Sequence, residues 1–160
     1  MPPQTPYSAD LQDREPLEAI RVTTARMRSL VAGWTPQQLE RTYAPGKWTA
    51  RQLLVHLAQT ELALGTRARM ALTVPNYVAQ PFDQDKWIEK ERALGGREAL
   101  DIFLALAGMN RMLFESLSPS DRAIALSHPE YGALTVDWIL HTIAGHQIHH
   151  LKQLEQIAAR

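Results

Sequence analysis

Apolar residues recur along this chain at the spacing of helices, not of strands. In Asp13–Val31, Leu17, Ile20, Met27 and Val31 repeat on one helix face. Pro16 suits a first turn, and Gly33 closes the segment. Thr35-Pro36-Gln37-Gln38 reads as a capping box with proline at the first helical position, opening a short helix to about Arg41. After the loop Tyr43–Trp48, Thr49 caps a second long helix, Ala50 to about Leu72, with Leu53, Leu57, Thr60 and Leu64 along its stripe. Residues Thr73–Asp85 contain Pro75 and Pro81 and form the longest irregular stretch, a functional loop or a crossover at the end of a bundle. Trp87–Leu94 is a short helix ended by Gly95-Gly96.

The third long helix covers Arg97–Leu117, with Leu100, Phe103, Leu104, Ala107, Phe114 and Leu117 inward. Ser118–Asp121 breaks it, and Ala123–Leu134 reads as a linker with a turn at His128–Gly132. Thr135 caps the last helix, Val136 to about Ala158. Four long amphipathic helices and no convincing strand pair predict an all-α four-helix bundle. The expectation is a single domain over 1–160, with a long connection between the second and third long helices and a flexible lead-in over 1–10.

Composition narrows the chemistry. Lys plus Arg and Asp plus Glu number 17 each, so the formal net charge is zero and no basic face marks a nucleic-acid protein. There is no cysteine, which removes disulfides, thiolate metal sites and cysteine nucleophiles and leaves histidine and oxygen as metal ligands. MPPQTPYSAD lacks the basic start and apolar run of a signal peptide, and no apolar stretch approaches the ~20 residues of a membrane span. The expectation is a soluble cytoplasmic protein, with neither nucleic acid nor membrane as partner.

Candidate chemistry concentrates near the end, where His141, His146, His149 and His150 fall within ten residues. At ~100° per residue, Val136, Ile139, Ile143, His146, His150, Leu154 and Ile157 share an arc of about 80°. His146 and His150 therefore stand where leucines ordinarily stand. His149 lies about 105° from the centre of that arc and His141 roughly opposite it, so both are expected on the solvated side. Two inward imidazoles one turn apart are either packed core residues with hydrogen-bond partners or ligands of one divalent metal. Gln147 follows His146, so this is not the HExxH arrangement of a zinc protease.

A third ligand is needed. His56 lies about 70° from the centre of its leucine stripe, within reach of a bundle interior; His128, in the linker, is weaker. Glu61 reads as an ordinary helix-surface carboxylate before it reads as a ligand or a partner of one. Arg67, Arg69 and Arg111 read as surface charges. Trp138, about 125° from the histidine arc, is expected to be exposed or to meet a partner chain.

The segment Pro45-Gly46-Lys47-Trp48-Thr49 followed by Ala50–Glu61, with His56 and Glu61 in it, resembles the second-helix signature of the DinB-like superfamily. His146-xxx-His150 with Leu154 resembles that family's closing helix, and Phe82–Trp87 and Gly132–Thr135 resemble its connecting segments. The resemblance implies a four-helix bundle with a long connection between helices two and three. It also implies a three-histidine site made of His56, His146 and His150, zinc or nickel as the metal, and a homodimer. Relatives in that superfamily include transferases using low-molecular-weight thiols, a mycothiol-dependent isomerase and metal-dependent hydrolases. The implied activity is that of a metal-dependent enzyme on a small-molecule substrate, with a thiol cosubstrate favoured. The alternatives are a hydrolase and a non-catalytic bundle that binds metal or a small ligand. Glu61, Glu130, Tyr131 and Asp137 are all open as general base.

Overall fold

Three of the four long helices begin at a side chain that caps them. In the computed structural model, which describes residues 1–160, the elements are α1 (Ser8–Leu11), α2 (Pro16–Val31), α3 (Pro36–Leu39), α4 (Ala50–Thr73), α5 (Gln84–Lys90), α6 (Gly96–Ser116), α7 (Pro119–Arg122), β1 (Ala125–His128), β2 (Gly132–Thr135) and α8 (Val136–Ala158). The capping box at Thr35 forms as read, Thr49 caps α4 as read and adds a capping box with Gln52, and Thr135 accepts from the Trp138 amide to start α8. Glu15 caps α2. α6 is the exception: Gly95 precedes it and offers no side-chain cap.

The four long helices form the bundle. α2 borders α8 and α6, while α4 borders α6 and α8, so the consecutive helices α2 and α4 lie across the bundle from each other. Two apolar clusters fill the interior. One gathers Ile20, Leu64, Phe114, Ile139 and Ile143; the other gathers Met27, Leu53, Leu57, Phe103 and Leu154. The buried polar residues of α4 (His56, Gln59, Thr60 and Glu61) fall near the change from one cluster to the other.

Three features differ from the sequence reading. The expected linker 123–134 contains a two-stranded antiparallel hairpin pairing Leu126 with Leu134 and His128 with Gly132. Its strands are four residues each, too short for an alternating pattern to stand out, and Gly132 turns the chain at φ +73°. The irregular connection after α4 docks on this hairpin: Ala79 N–H donates to the Ser127 carbonyl and Ser127 N–H to the Tyr77 carbonyl.

At the end of the lead-in read over 1–10, Gln4, Tyr7 and α1 pack on α8. Leu11 is buried, and the Tyr7 backbone lies so close to Gly145 that a Cβ there would come 2.6 Å from the Tyr7 carbonyl oxygen. That segment also explains Trp138. Rather than being exposed or meeting another chain, Trp138 is buried, with its indole N–H donating to the Gln4 carbonyl at 2.8 Å and the Tyr131 ring tilted against it at 5.3 Å. No helix is long and apolar enough to cross a membrane.

Candidate metal centre

Because α4 and α8 are neighbours, an inward residue on one faces inward residues on the other. His56 from α4 meets His146 and His150 from α8, and all three are buried. His146 Nε2 lies 2.9 Å from His56 Nε2 and 3.0 Å from His150 Nε2, and the three candidate ligand atoms fall within 4.8 Å of one another. Ring contacts at 4.4–5.0 Å pack the imidazoles edge to face. Trp48 covers the group from one side, 4.8 Å from the His56 ring, with its indole N–H held by Asp85 at 3.2 Å.

Burial sets the protonation of these rings. It pushes His56 down to about 3, with His150 and His149 adding to the effect. It pushes His150 down to about 4 against the raising effect of its hydrogen bond to Gln153, and it holds His146 well below the ordinary histidine range. All three are therefore neutral at pH 7, the form that ligates metal.

Hydrogen bonds alone do not satisfy the cluster. His150 Nδ1 lies 2.7 Å from Gln153 Oε1 and donates to it, which leaves a lone pair on His150 Nε2. His146 Nε2 must then carry the proton to serve His150. With that proton in place it has no lone pair for His56, although His56 Nε2 stands just as near. Three inward lone pairs around a shared divalent cation would resolve the conflict. The residues fit a divalent metal. His56 Nδ1, by contrast, is buried with no hydrogen-bond partner, although metal-ligating histidines usually fix that second nitrogen.

A cavity of about 280 Å³ opens on His56 and His146; Tyr7, Thr60, Arg67, Phe82, His128 and Trp138 also line it. An ion held by the three rings would have space for a further ligand there.

The other sequence candidates sort clearly. His141 and His149 stay out of the cluster, as helical phase predicts, but neither is simply solvated: His141 Nδ1 lies 3.4 Å from Asp137 and His149 Nδ1 3.1 Å from Asp10. His128 lines the cavity without joining the three ligand atoms. Glu61 is not a surface carboxylate. It is 2% exposed, accepting from Gln147 Nε2 at 2.6 Å and Asn110 Nδ2 at 2.8 Å. Burial raises it to about 7 against those two bonds. Arg67 is not a free surface charge either, since it lines the cavity with its guanidinium over Phe82. Arg69 is tied to Asn110 and the Gly65 carbonyl, and only Arg111, paired with Glu115, behaves as read. Of the candidate bases, Glu130 and Tyr131 line the cavity, while Asp137 sits beside His141 and Arg122.

Sequence reasoning missed Tyr7, Asn110 and Gln147. Asn110 carried a signal: it continues the inward spacing of Phe103, Ala107 and Phe114 and is a polar residue in an apolar stripe. Tyr7, edge-on to His146 at 5.1 Å, had none.

Fold and site together define a helical bundle with a three-histidine centre, and the chain belongs to the DinB superfamily, whose model matches residues 19–154. A relative from Oceanobacillus iheyensis, named "Putative metal-dependent hydrolase", is 30% identical over 135 residues, covering 84% of this chain and 78% of its own. YfiT from Bacillus subtilis, described as a probable metal-dependent hydrolase with an unusual four-helix bundle topology, superposes with a TM-score of 0.83 at 23% identity over 91% of this chain and 85% of its own. The mycothiol-dependent maleylpyruvate isomerase superposes at 0.73 with 16% identity, covering 94% of this chain and 63% of its own. At these identities the two structures share the fold.

Proposed function

We propose that this chain is a divalent-metal-dependent enzyme acting on a small-molecule substrate, with His56, His146 and His150 as the metal ligands and a low-molecular-weight thiol as cosubstrate. The observation that carries it is the convergence of three neutral Nε2 atoms, beside a cavity, in an arrangement that hydrogen bonds leave unsatisfied. Zinc or nickel bound there would lower the pKa of a thiol or water in its open position and so supply a nucleophile near neutral pH. The chain's own residues do the rest. Burial keeps the three rings unprotonated, Gln153 orients His150, Trp48 shields the back of the cluster, and the Tyr7 and Phe82 walls narrow the approach. With no cysteine in the chain, a thiol nucleophile comes from solution. A second reading, hydrolysis with water in that role, is favoured by the names of the relatives above.

Metal analysis of untagged protein equilibrated with zinc or nickel tests the centre. The expected result is about one ion per chain, lost in His146→Ala and in His150→Ala, with a melting temperature that a chelator lowers and added metal restores. Protein that stays metal-free at saturating zinc and nickel would falsify this reading. Turnover of an electrophile only when a small thiol is present supports the transferase; turnover of esters or amides in buffer alone supports the hydrolase.

A further inference from the structure

The cavity beside the histidines has a second polar end that the metal reading does not use. Arg67, on α4, is half-buried there and enters none of the chain's ion pairs. Its one protein acceptor is the Gln80 carbonyl, and its guanidinium lies over the Phe82 ring, 5.7 Å from the centroid. One arm of the fork is thus fixed, the plane is braced, and the remaining N–H groups are left without a protein partner.

His128 lines the same cavity as a donor. Its Nδ1 accepts from the Glu130 amide at 3.1 Å, so its proton sits on Nε2. Burial, and then the Arg67 charge, hold it below the usual histidine range, so it is neutral at pH 7. Thr60 adds a hydroxyl that is buried without any partner. Three donors from α4 and β1 therefore line one cavity, with Arg67 as its one formal positive charge, the exposed Glu130 as its one formal negative charge and an apolar wall of Leu64, Phe82 and Trp138. An unpaired, half-buried guanidinium favours an anion. One positive charge beside neutral donors suits a monoanion better than a dianion, and Glu130 at the rim further disfavours added negative charge.

We propose that this cavity takes small organic carboxylates with an apolar body, and that Arg67 selects them by pairing with the carboxylate while His128 and Thr60 supply further hydrogen bonds. This assignment rests on the reading of the cavity as the substrate site, and it names the substrate class.

Calorimetric titration with benzoate and phenylacetate, and with the uncharged benzamide and phenylacetamide, tests it on chelator-treated and zinc-treated protein. Either carboxylate is expected to bind the chelator-treated protein roughly tenfold or more tighter than its amide, since hydrogen bonds to a charged group carry that much. Arg67→Met, which keeps a long side chain over Phe82, is expected to remove that preference, so that acid and amide bind alike. Arg67→Lys, which keeps the charge and loses the fork, is expected to retain part of it; it decides the matter if the methionine variant loses its helical circular dichroism.

Equal binding of acids and amides overturns the proposal, as does no binding of either acid up to about 10 mM. Carboxylate binding that needs zinc and ignores Arg67 also overturns it, placing the anion on the metal. Phenyl phosphate binding about tenfold tighter than either carboxylate overturns it in favour of a phosphate ester. Failure of the metal centre would show instead as zinc that does not bind, which leaves the chelator-treated titrations readable.

Discussion

α4 and α8 build two buried polar clusters within a few residues of each other, and the two follow opposite rules. In one, Glu61 of α4 accepts from Gln147 of α8 and from Asn110 of α6, and Asn110 passes its own oxygen on to Arg69. Donors meet the Glu61 and Asn110 oxygens, Gln147 Oε1 alone is left without a partner, three helices are tied, and none of Glu61, Gln147 or Asn110 lines the cavity beside the histidines. In the other, His56 meets His146 and His150, acceptors crowd acceptors, and the cavity opens on two of the three. His146 and Gln147 are adjacent in sequence and serve different clusters. A buried polar network whose charged or shared atoms are mostly paired holds helices together; one whose central atoms compete for the same partner is costly unless a ligand completes it. Burial alone therefore does not mark the functional cluster. Ring nitrogens that compete with one another beside an open cavity do.

Titration of Glu61 breaks the comparison with the largest effect on stability. Its carboxyl is raised from 4.5 to about 7, chiefly by burial. The folded chain then binds a proton that the unfolded chain releases. The stability this group contributes is fully present below pH 4.5 and is lost as pH rises through about 7. The loss is on the order of 3 kcal/mol. The histidines run the other way: their lowered pKa values give stability present above pH 6.5 and lost as pH falls through about 4 and about 3. Glu61→Gln removes only the first contribution. The stability of the variant minus that of the parent, from urea unfolding of metal-free protein, should climb by that amount between pH 4.5 and 7, because the histidines cancel. A gap that stays level across this window would remove Glu61 as a titrating buried group.

Gly145→Ala acts on the open cluster from the side. A Cβ at 145 would stand 2.6 Å from the Tyr7 carbonyl oxygen and from Tyr7 Cβ, so the N-terminal segment has to move. Overpacking of this kind costs about 1–3 kcal/mol, offset by roughly 1 kcal/mol gained when alanine replaces a mid-helix glycine. A net loss of about 1 kcal/mol is expected, with Trp138 emission shifting to the red as its Gln4 cover lifts. Metal content should hold, since no ligand is displaced. Unchanged Trp138 emission would show that the segment does not depend on that close approach.

The same contrast explains what was legible in the sequence. The bounds of α4, α6 and α8 follow from caps and apolar period to within about a residue. Helical phase separated His146 and His150 from His141 and His149, because one seam of α8 faces α4. Joining His56 to them took the family resemblance, since phase on one helix carries no information about which helix lies opposite. The same gap hid the rest. Phase put Trp138 outside the seam, but α1 and the hairpin cover that face, so α8 is buried on most sides along 138–148. Glu61 is off its stripe and still buried, because α4 packs against α6 as well as α8. Arg67 gains its place from Gln80 and Phe82 in the irregular connection, where no periodicity exists to read.

His149 gives the smallest and sharpest test of that separation. It sits beside His150, with ring centres 5.1 Å apart, in the same short run of the chain as two of the proposed ligands. Its side chain is 40% exposed and its one carboxylate partner is Asp10 at 3.1 Å. Asp10 keeps Lys152 at 2.6 Å when His149 is replaced. His149→Gln should therefore cost less than about 1 kcal/mol, the range of partly exposed ion pairs. It should leave zinc stoichiometry unchanged where His150→Ala abolishes it. A drop in metal content on His149→Gln would mean that the site recruits a fourth imidazole by turning α8, and the division of the histidines by helical phase would fail.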